Sequence, residues 1–200
     1  MKKLILLTGA TCAGKTTVEK ELNKLGIPSI VSYTTRPPRA GEINEVDYHF
    51  YTNEKLEEME SLLIEKMEFS GYYYGSTLMA LGNAFINSDI AVIVVEPTGV
   101  KLFKDYAAAE PDLEIIPIYL DSDYEVIVKR LIGRYLNDFA GEDKGAYYWN
   151  RLVQQYNEHQ TWPRYTSWRL HFDQVNESID GKTPEDIARR ILDYLTARAV

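Results

Sequence analysis

The chain begins with KKLILLTGATCAGKTT, Lys2 to Thr17. The first part, Lys2 to Leu7, is a short and nearly all-apolar run, as in a strand buried on both faces of a parallel sheet. The second part matches the spacing Gly9-x-x-x-x-Gly14-Lys15-Thr16 completely. A helical pattern follows from Lys15 to Leu25, with Gly26 as its stop. Strand, glycine-rich loop and helix form the context in which this spacing grips phosphate. The glycines let backbone N–H groups turn inward around phosphate oxygens, and the helix N-terminus adds partial positive charge. Gly9, Ala10, Thr11, Cys12, Ala13, Gly14, Lys15, Thr16 and Thr17 are therefore read as the binding loop for ATP. Lys15 is expected to reach the β- and γ-phosphates, and the Thr16 hydroxyl to ligate Mg²⁺. Cys12, the only cysteine, is either a reactive thiol in this electropositive loop or simply a small residue that fits.

Working outward, PSIVSY (28–33) reads as a second strand, after which Pro37, Pro38 and Gly41 break regular structure. Asn53 is placed to cap a helix through Glu60. SLLIEKMEF (61–69) and YYY (72–74) read as strands around Gly71, and Thr77 to Phe85 as a helix. DIAVIVVE (89–96) is a buried strand followed by a helix from Gly99 to Ala109. EIIPIYLDS (114–122) is another, followed by a helix from Asp123 to Arg134. A helical segment spans Tyr147 to His159, and WRLHFDQ (168–174) alternates like a strand. TPEDIARRILDYL (183–195) has Thr183 as N-cap and Pro184 at the first helical position. Strands alternating with helices imply a parallel α/β sheet. The Pro- and Tyr-rich block 32–80 breaks that rhythm and reads as an inserted lobe.

The composition fits this picture. Two hundred residues suit one domain, with 45% hydrophobic and 26% charged residues, ordinary values for a globular chain. A net charge of -8 argues against nucleic acid or an acidic membrane as partner, because both need a positive surface. No stretch approaches the roughly 18 apolar residues of a membrane span. The lone cysteine fits a reducing, cytoplasmic setting, and the apolar run after Met1 is too short for a signal peptide.

The next informative stretch is SYTTRPPRAGEINEVDYHF, Ser32 to Phe50. Pro37-Pro38 stiffens the backbone between Arg36 and Arg39, so the two guanidiniums can form a fork for a phosphate or carboxylate. A solvated charge pair is the alternative. Tyr48, and Tyr74 in SGYYYGS, add phenolic donors for the same anion.

GATCAGKTT, SYTTRPPRAGEINEVDYHF and EFSGYYYGST, in this order and spacing, resemble the phosphate loop, monophosphate-binding loop and following strand turn of guanylate kinases. The resemblance implies a P-loop NTPase fold, with a three-layer parallel-sheet core, an inserted nucleoside-monophosphate lobe and a lid. It divides a single domain into a core of 1–31, 81–134 and 160–200, a lobe of 32–80 and a lid of 135–151. It implies transfer of the γ-phosphoryl of ATP to GMP, and to dGMP. By the same resemblance, Arg36, Arg39, Tyr48 and Tyr74 bind the acceptor phosphate. Ser32 contacts guanine O6, Glu65 the guanine edge, and Ser76 the base again. The chemistry supports these roles independently. A carboxylate accepts from both N1–H and N2–H of guanine while a hydroxyl donates to O6, whereas adenine would set a lone pair against that carboxylate.

Two departures from the pattern are visible. The family usually ends the next strand with two acidic residues one apart, whereas VVEPTG (94–99) has Val94 and then Glu96. Glu96 could still accept from the guanine N2 amine or could only cap the following helix; Val94 cannot serve a metal's hydration shell. The second departure is length. KRLIGR (129–134) and NRL (150–152) match the two ends of the lid, but extra residues lie between them. Arg130 and Arg134, four apart on one helix face, and Arg151 are candidates to neutralise the migrating phosphoryl. The acceptor phosphate is itself largely ionised at neutral pH, so none of His49, His159 and His171 needs to be a base. Two other readings remain. One is a kinase for a broader set of deoxynucleoside monophosphates, and the other is a non-catalytic module that docks phosphopeptides on the acceptor arginines.

Overall fold

A computed structural model of the chain describes residues 1–69, 71–138, 149–150, 152–154, 156–157, 176–178 and 182–197. The strand before the phosphate loop, β1 (Lys2–Gly9), carries Leu4, Ile5, Leu6 and Leu7 with no solvent exposure at all. Only a strand covered on both faces buries four consecutive side chains. The helix α1 (Lys15–Lys24) follows, burying Val18 and Leu22, one turn apart. Gly26 ends it with φ 88°, and Ile27 N–H returns to the Leu22 carbonyl at 3.1 Å, a closure that favours glycine.

Two short strands, β2 (Tyr33–Thr34) and β3 (His49–Phe50), precede α2 (Asn53–Glu58), and a single 3₁₀ turn, Glu60–Leu62, leads into β4 (Leu63–Phe69). Then come β5 (Tyr72–Thr77), α3 (Leu78–Ala84), β6 (Ile90–Val94) and α4 (Pro97–Ala107). The chain continues through β7 (Leu113–Asp121), α5 (Tyr124–Asp138), β8 (Asn176–Ser178) and α6 (Pro184–Ala197). One sheet has the order β6-β1-β7-β8 and the other β3-β2-β5-β4. The first is the parallel α/β sheet expected from the sequence, with β1 parallel to β6 from Lys3↔Ile90 to Leu7↔Val94 and β7 parallel to β8. The second is mixed, with β5 antiparallel to both β2 and β4, and every one of its strands falls within residues 33–77.

The described chain gathers into two units, Met1–Leu7 with Leu22–Ile116, and Thr8–Glu21 with Pro117–Val200. In the first, the core is made by Leu4 to Leu7, Ala91 to Ile93 and Phe103. In the second, Val18, Ile118, Leu120, Ile127, Leu131, Ile187 and Ile191 are buried.

Several boundaries differ from the sequence reading. PSIVSY is not a strand throughout. Ile30 N–H donates to the Val92 carbonyl and Val92 N–H to that of Pro28, a single bridge at Ser29, and the strand proper is only Tyr33–Thr34. Pro28 has no N–H to extend the first ladder. Thr52, not Asn53, caps α2, accepting from Lys55 N–H at 3.3 Å. Helix α4 starts at Pro97, two residues before Gly99, and α5 runs a turn beyond Arg134 to Asp138. Thr183 caps α6 as expected, accepting from Asp186 N–H at 3.1 Å while Asp186 accepts from Thr183 N–H at 3.0 Å, a reciprocal capping box. The segment WRLHFDQ and most of 135–151 and Tyr147–His159 lie outside the described residues or carry no described side chains.

Candidate active site

The phosphate loop is shaped by positions that only small residues fill. Gly9 has φ 151°, and a Cβ there would stand 2.5 Å from the Leu120 carbonyl oxygen. Gly14 has φ 95° and Cys12 φ 62°, the latter a left-handed residue that costs strain outside glycine. These turns carry the chain from β1 into α1, whose first turn holds no acidic residue to cancel its positive end. Lys15 Nζ donates to the carbonyls of Gly9 at 2.6 Å and Ala10 at 3.0 Å. The ammonium thus spans the loop that it helps to close. Ala10, Thr11 and Ala13 are buried, whereas Thr16 and Thr17 are exposed on the first helical turn.

Helix α5 brings two of the expected arginines to this loop. Arg130 Nη1 donates to the Cys12 carbonyl at 3.2 Å. Arg130 and Arg134 line a cavity of about 350 Å³ with Cys12, Gly14, Thr17 and Lys182. Sequence reasoning did not single out Lys182, which precedes the Thr183 cap and enters this wall with Pro184 and Ile187 of α6. Nothing local in the sequence marks it as part of the loop's surroundings. Arg151 lies outside the described residues.

The second sheet builds a different site. Arg36 is 5% exposed, and its guanidinium binds Glu42 end-on, Nη1 to Oε2 at 2.8 Å and Nη2 to Oε1 at 3.0 Å. Nη1 also donates to the Pro37 carbonyl at 2.6 Å. Arg36 Nε is buried with no hydrogen-bond partner among the described residues. The guanidinium lies 5.4 Å from the Tyr48 ring and 5.6 Å from that of Phe50, within cation–π range. Burial by itself would lower the Arg36 pKa, but the hydrogen bond and charge of Glu42 raise it overall. Burial would raise Glu42, yet Arg36, the Arg39 backbone N–H and both guanidinium charges hold it below the usual carboxylate range. Arg39 Nη1 lies 3.7 Å from Glu42 Oε1 and is one-third exposed. Tyr48 and Tyr74 meet with ring centroids 6.2 Å apart, and both arginines converge on one carboxylate that sequence reasoning left without a role.

Two residues further along β5 from Tyr74, Ser76 points to the same face and begins a second polar cluster. Its Oγ donates to Glu65 Oε1 at 3.0 Å and lies 3.1 Å from Ser32 Oγ. All three residues are buried. Glu65 Oε2 has no hydrogen-bond partner among the described residues. Burial first, then the charge of Glu96, push the Glu65 carboxyl up to about 7, against the Ser76 hydrogen bond. Glu96 sits at the N-cap of α4 but makes no side-chain cap bond. Gly99, on the first turn of α4, gives the carboxylate its room, since a Cβ there would lie 2.6 Å from Glu65 Oε2. Of the histidines, His49 is stacked 4.5 Å from Tyr33, with its pKa lowered by burial against the charge of Glu45; His159 and His171 lie outside the described residues.

A glycine-shaped phosphate loop between a buried parallel strand and a helix, in an α/β chain, defines the P-loop NTPase class of fold. A crystallised guanylate kinase from Anaplasma phagocytophilum shares the fold, with a TM-score of 0.69 at 20% identity, over 98% of this chain and 86% of that one. The family model described as guanylate kinase matches residues 1–138, and the chain belongs to the guanylate kinase family. A guanylate kinase of Nostoc sp. is 33% identical over 137 residues, 66% of this chain and 66% of the relative. One of Clostridioides difficile is 32% identical over 165 residues, 77% of each chain. The match to the first of these relatives spans just under two thirds of its length. Among the described residues, no helix is long and apolar enough to cross a membrane.

Proposed function

We propose that the chain transfers the γ-phosphoryl of ATP to GMP, giving ADP and GDP, and that it takes dGMP as well. One observation carries the acceptor assignment. Along one face of β5, Tyr74 stands with the arginine cluster and Ser76 with Glu65, two residues apart. That step is about 7 Å, a spacing suited to one nucleotide's phosphate and base. Glu65 would accept from guanine N1–H and N2–H, which gives its bare oxygen the donors it lacks. Ser32 would donate to O6, Ser76 would make a further contact to the base, and Glu96 would accept the second N2 hydrogen.

On the donor side, the loop N–H groups and Lys15 would hold the β- and γ-phosphates, and Arg130, Arg134 and Arg151 would neutralise the group in flight. No cluster of three or more His, Cys, Asp or Glu residues able to hold a metal occurs among the described residues, and the loop offers the hydroxyl of Thr16 at the start of α1. That donor set fits an octahedral ion carried in on the triphosphate and completed by phosphate oxygens and water. Mg²⁺ held there by Thr16 would draw charge from the phosphate oxygens. The chain's own contribution is alignment and charge neutralisation, worth about 10³–10⁵ in rate for an arginine that meets the transition state. The acceptor dianion needs no base. Residues 135–151 would act as the lid that excludes water.

The test is a competition in which ATP is offered GMP, dGMP, AMP and dTMP together and the products are separated. GDP and dGDP should dominate. Equal use of dTMP or AMP would overturn the assignment of Glu65 to guanine. Arg36→Ala should abolish GMP use while ATP still binds, and normal GMP turnover in that variant would overturn the acceptor site.

A further inference from the structure

A guanidinium offers an anion two bidentate edges, the end-on pair Nη1/Nη2 and the side-on pair Nε/Nη2. In Arg36 the first is taken by Glu42, and on the second Nε is buried with no hydrogen-bond partner among the described residues. We propose that Glu42 is the positioning residue of the acceptor-phosphate site, occupying the end-on edge of Arg36 so that the side-on edge is presented to the incoming phosphate. This rests on the reading of that loop as the GMP phosphate site.

The same carboxylate organises the rest of the loop. Its Oε2 accepts from Arg39 N–H at 2.7 Å, its Oε1 faces Arg39 Nη1 at 3.7 Å, and Glu42 N–H donates to the Arg39 carbonyl at 3.1 Å. Gly41, with φ 83°, lets the chain turn so that the carboxylate reaches back. Three donors from two arginines converge on one side chain, which is 18% exposed. Without it, the Arg36 end-on edge would turn toward the phosphate, and Arg39 would lose the bond that sets its backbone. Two guanidiniums and one carboxylate also leave a single net positive charge to meet a phosphate carrying nearly two negative ones. Fixing the angle at which this charge meets the phosphate is therefore the contribution of Glu42. The motif alone does not mark Glu42; its contacts with Arg36 and Arg39 do.

The test separates phosphate recognition from base recognition by comparing GMP with guanosine, titrated calorimetrically into the full chain. The ratio of their dissociation constants is the phosphate's own contribution. In the wild type this ratio should be large. In E42Q, where an amide N–H₂ confronts arginine donors, it should fall about 10–30-fold, the size expected for a misdirected charge-assisted bidentate contact, with guanosine affinity changed less than twofold. E42D keeps the charge but is too short to reach Arg36 and Arg39 together, and should fall about threefold to tenfold. If E42Q does not fold, E42D decides alone. An unchanged ratio in the variants, or a loss shared equally by guanosine, overturns the role of Glu42. A wild type that binds guanosine as well as GMP overturns the phosphate-site reading itself, and this inference with it.

Discussion

The loop Gly9–Thr17 and the loop Arg36–Glu42 are both shaped for anions, yet they are built from different materials. The first uses backbone N–H groups, a helix end and one ammonium. It is made by glycines and sits at a strand–helix junction, so its geometry is local. The second uses side chains, with two guanidiniums, a carboxylate and tyrosines supplied by β5 and by the segment between β2 and β3. Arg36 is buried and Glu42 and Arg39 are partly so, and burial makes a charge dependent on its partner. The contrast teaches that a backbone cradle tolerates much around it but no loss of shape. A side-chain cradle can be dismantled one charge at a time.

The largest effect expected from this contrast is at Lys15. On the proposed reading, Lys15→Ala removes the side chain with which the loop would hold the transferring phosphates. Turnover should fall by about 10³-fold, while the GMP-to-guanosine affinity ratio stays as in the wild type. Steady-state kinetics and calorimetry on one preparation check both halves. A changed ratio would show that the two cradles are not independent.

Glu65→Gln comes next. On the proposed reading it sets an amide N–H₂ against the guanine donors, and kcat/KM for GMP should fall by about 10²-fold. The stability should move the other way. Glu65 has its carboxyl raised to about 7 in the fold, from a reference near 4.5. A raised carboxyl favours folding below its unfolded pKa, and that advantage is lost as pH rises through the folded value. E65Q does not titrate. Its unfolding free energy relative to wild type should therefore improve between pH 5 and pH 8, on the order of 2 kcal/mol. Denaturant melts at the two pH values measure this. Guanosine should also bind wild type more tightly toward pH 8, where the carboxylate is ready to accept; a flat profile would place the ionisation elsewhere.

These two residues also mark how far the sequence could be read. Lys15 is legible because Gly9, Gly14 and the flanking apolar run fix its surroundings within sixteen residues. The parallel sheet is legible for the same reason: Leu4–Leu7 and Ile90–Val94 are continuous apolar runs bounded by turns. Glu65 could be placed only through resemblance, because its neighbours Ser76, Ser32 and Gly99 are brought in by strand pairing and by the first turn of α4. The role of Gly99 was not legible because it lies in the space left for a side chain 34 positions away. The strand expected at 28–33 failed at Pro28, where the missing N–H outweighs the β-propensity of Ile30 and Val31.

Gly99→Ala sharpens the contrast on the acceptor side. Its new methyl would press on Glu65 Oε2, so guanosine and GMP should weaken together by about 10-fold, leaving their ratio intact. That pattern is the reverse of the one expected for E42Q, and it separates the base end of the site from its phosphate end. If the ratio changed instead, the carboxylate of Glu65 would not be what the methyl displaces.

The smallest effect is expected where the donor side does depend on a side chain. Thr183 caps α6 with a reciprocal pair to Asp186, and the residues on either side of it, Lys182 and Pro184, line the cavity beside Cys12 and Gly14. Thr183→Ala should cost about 1 kcal/mol of stability, lowering Tm by roughly 2–4 °C in a chain of this size. The first turn of α6 would fray, so the donor cavity would lose part of one wall while the glycine-shaped loop kept its form. KM for ATP should rise about twofold to threefold, with kcat and the GMP-to-guanosine ratio unaltered. Because the glycine turns set the cradle and the cap only steadies its surroundings, a large fall in kcat would mean that the backbone loop draws its shape from α6, and the contrast between the two cradles would narrow accordingly.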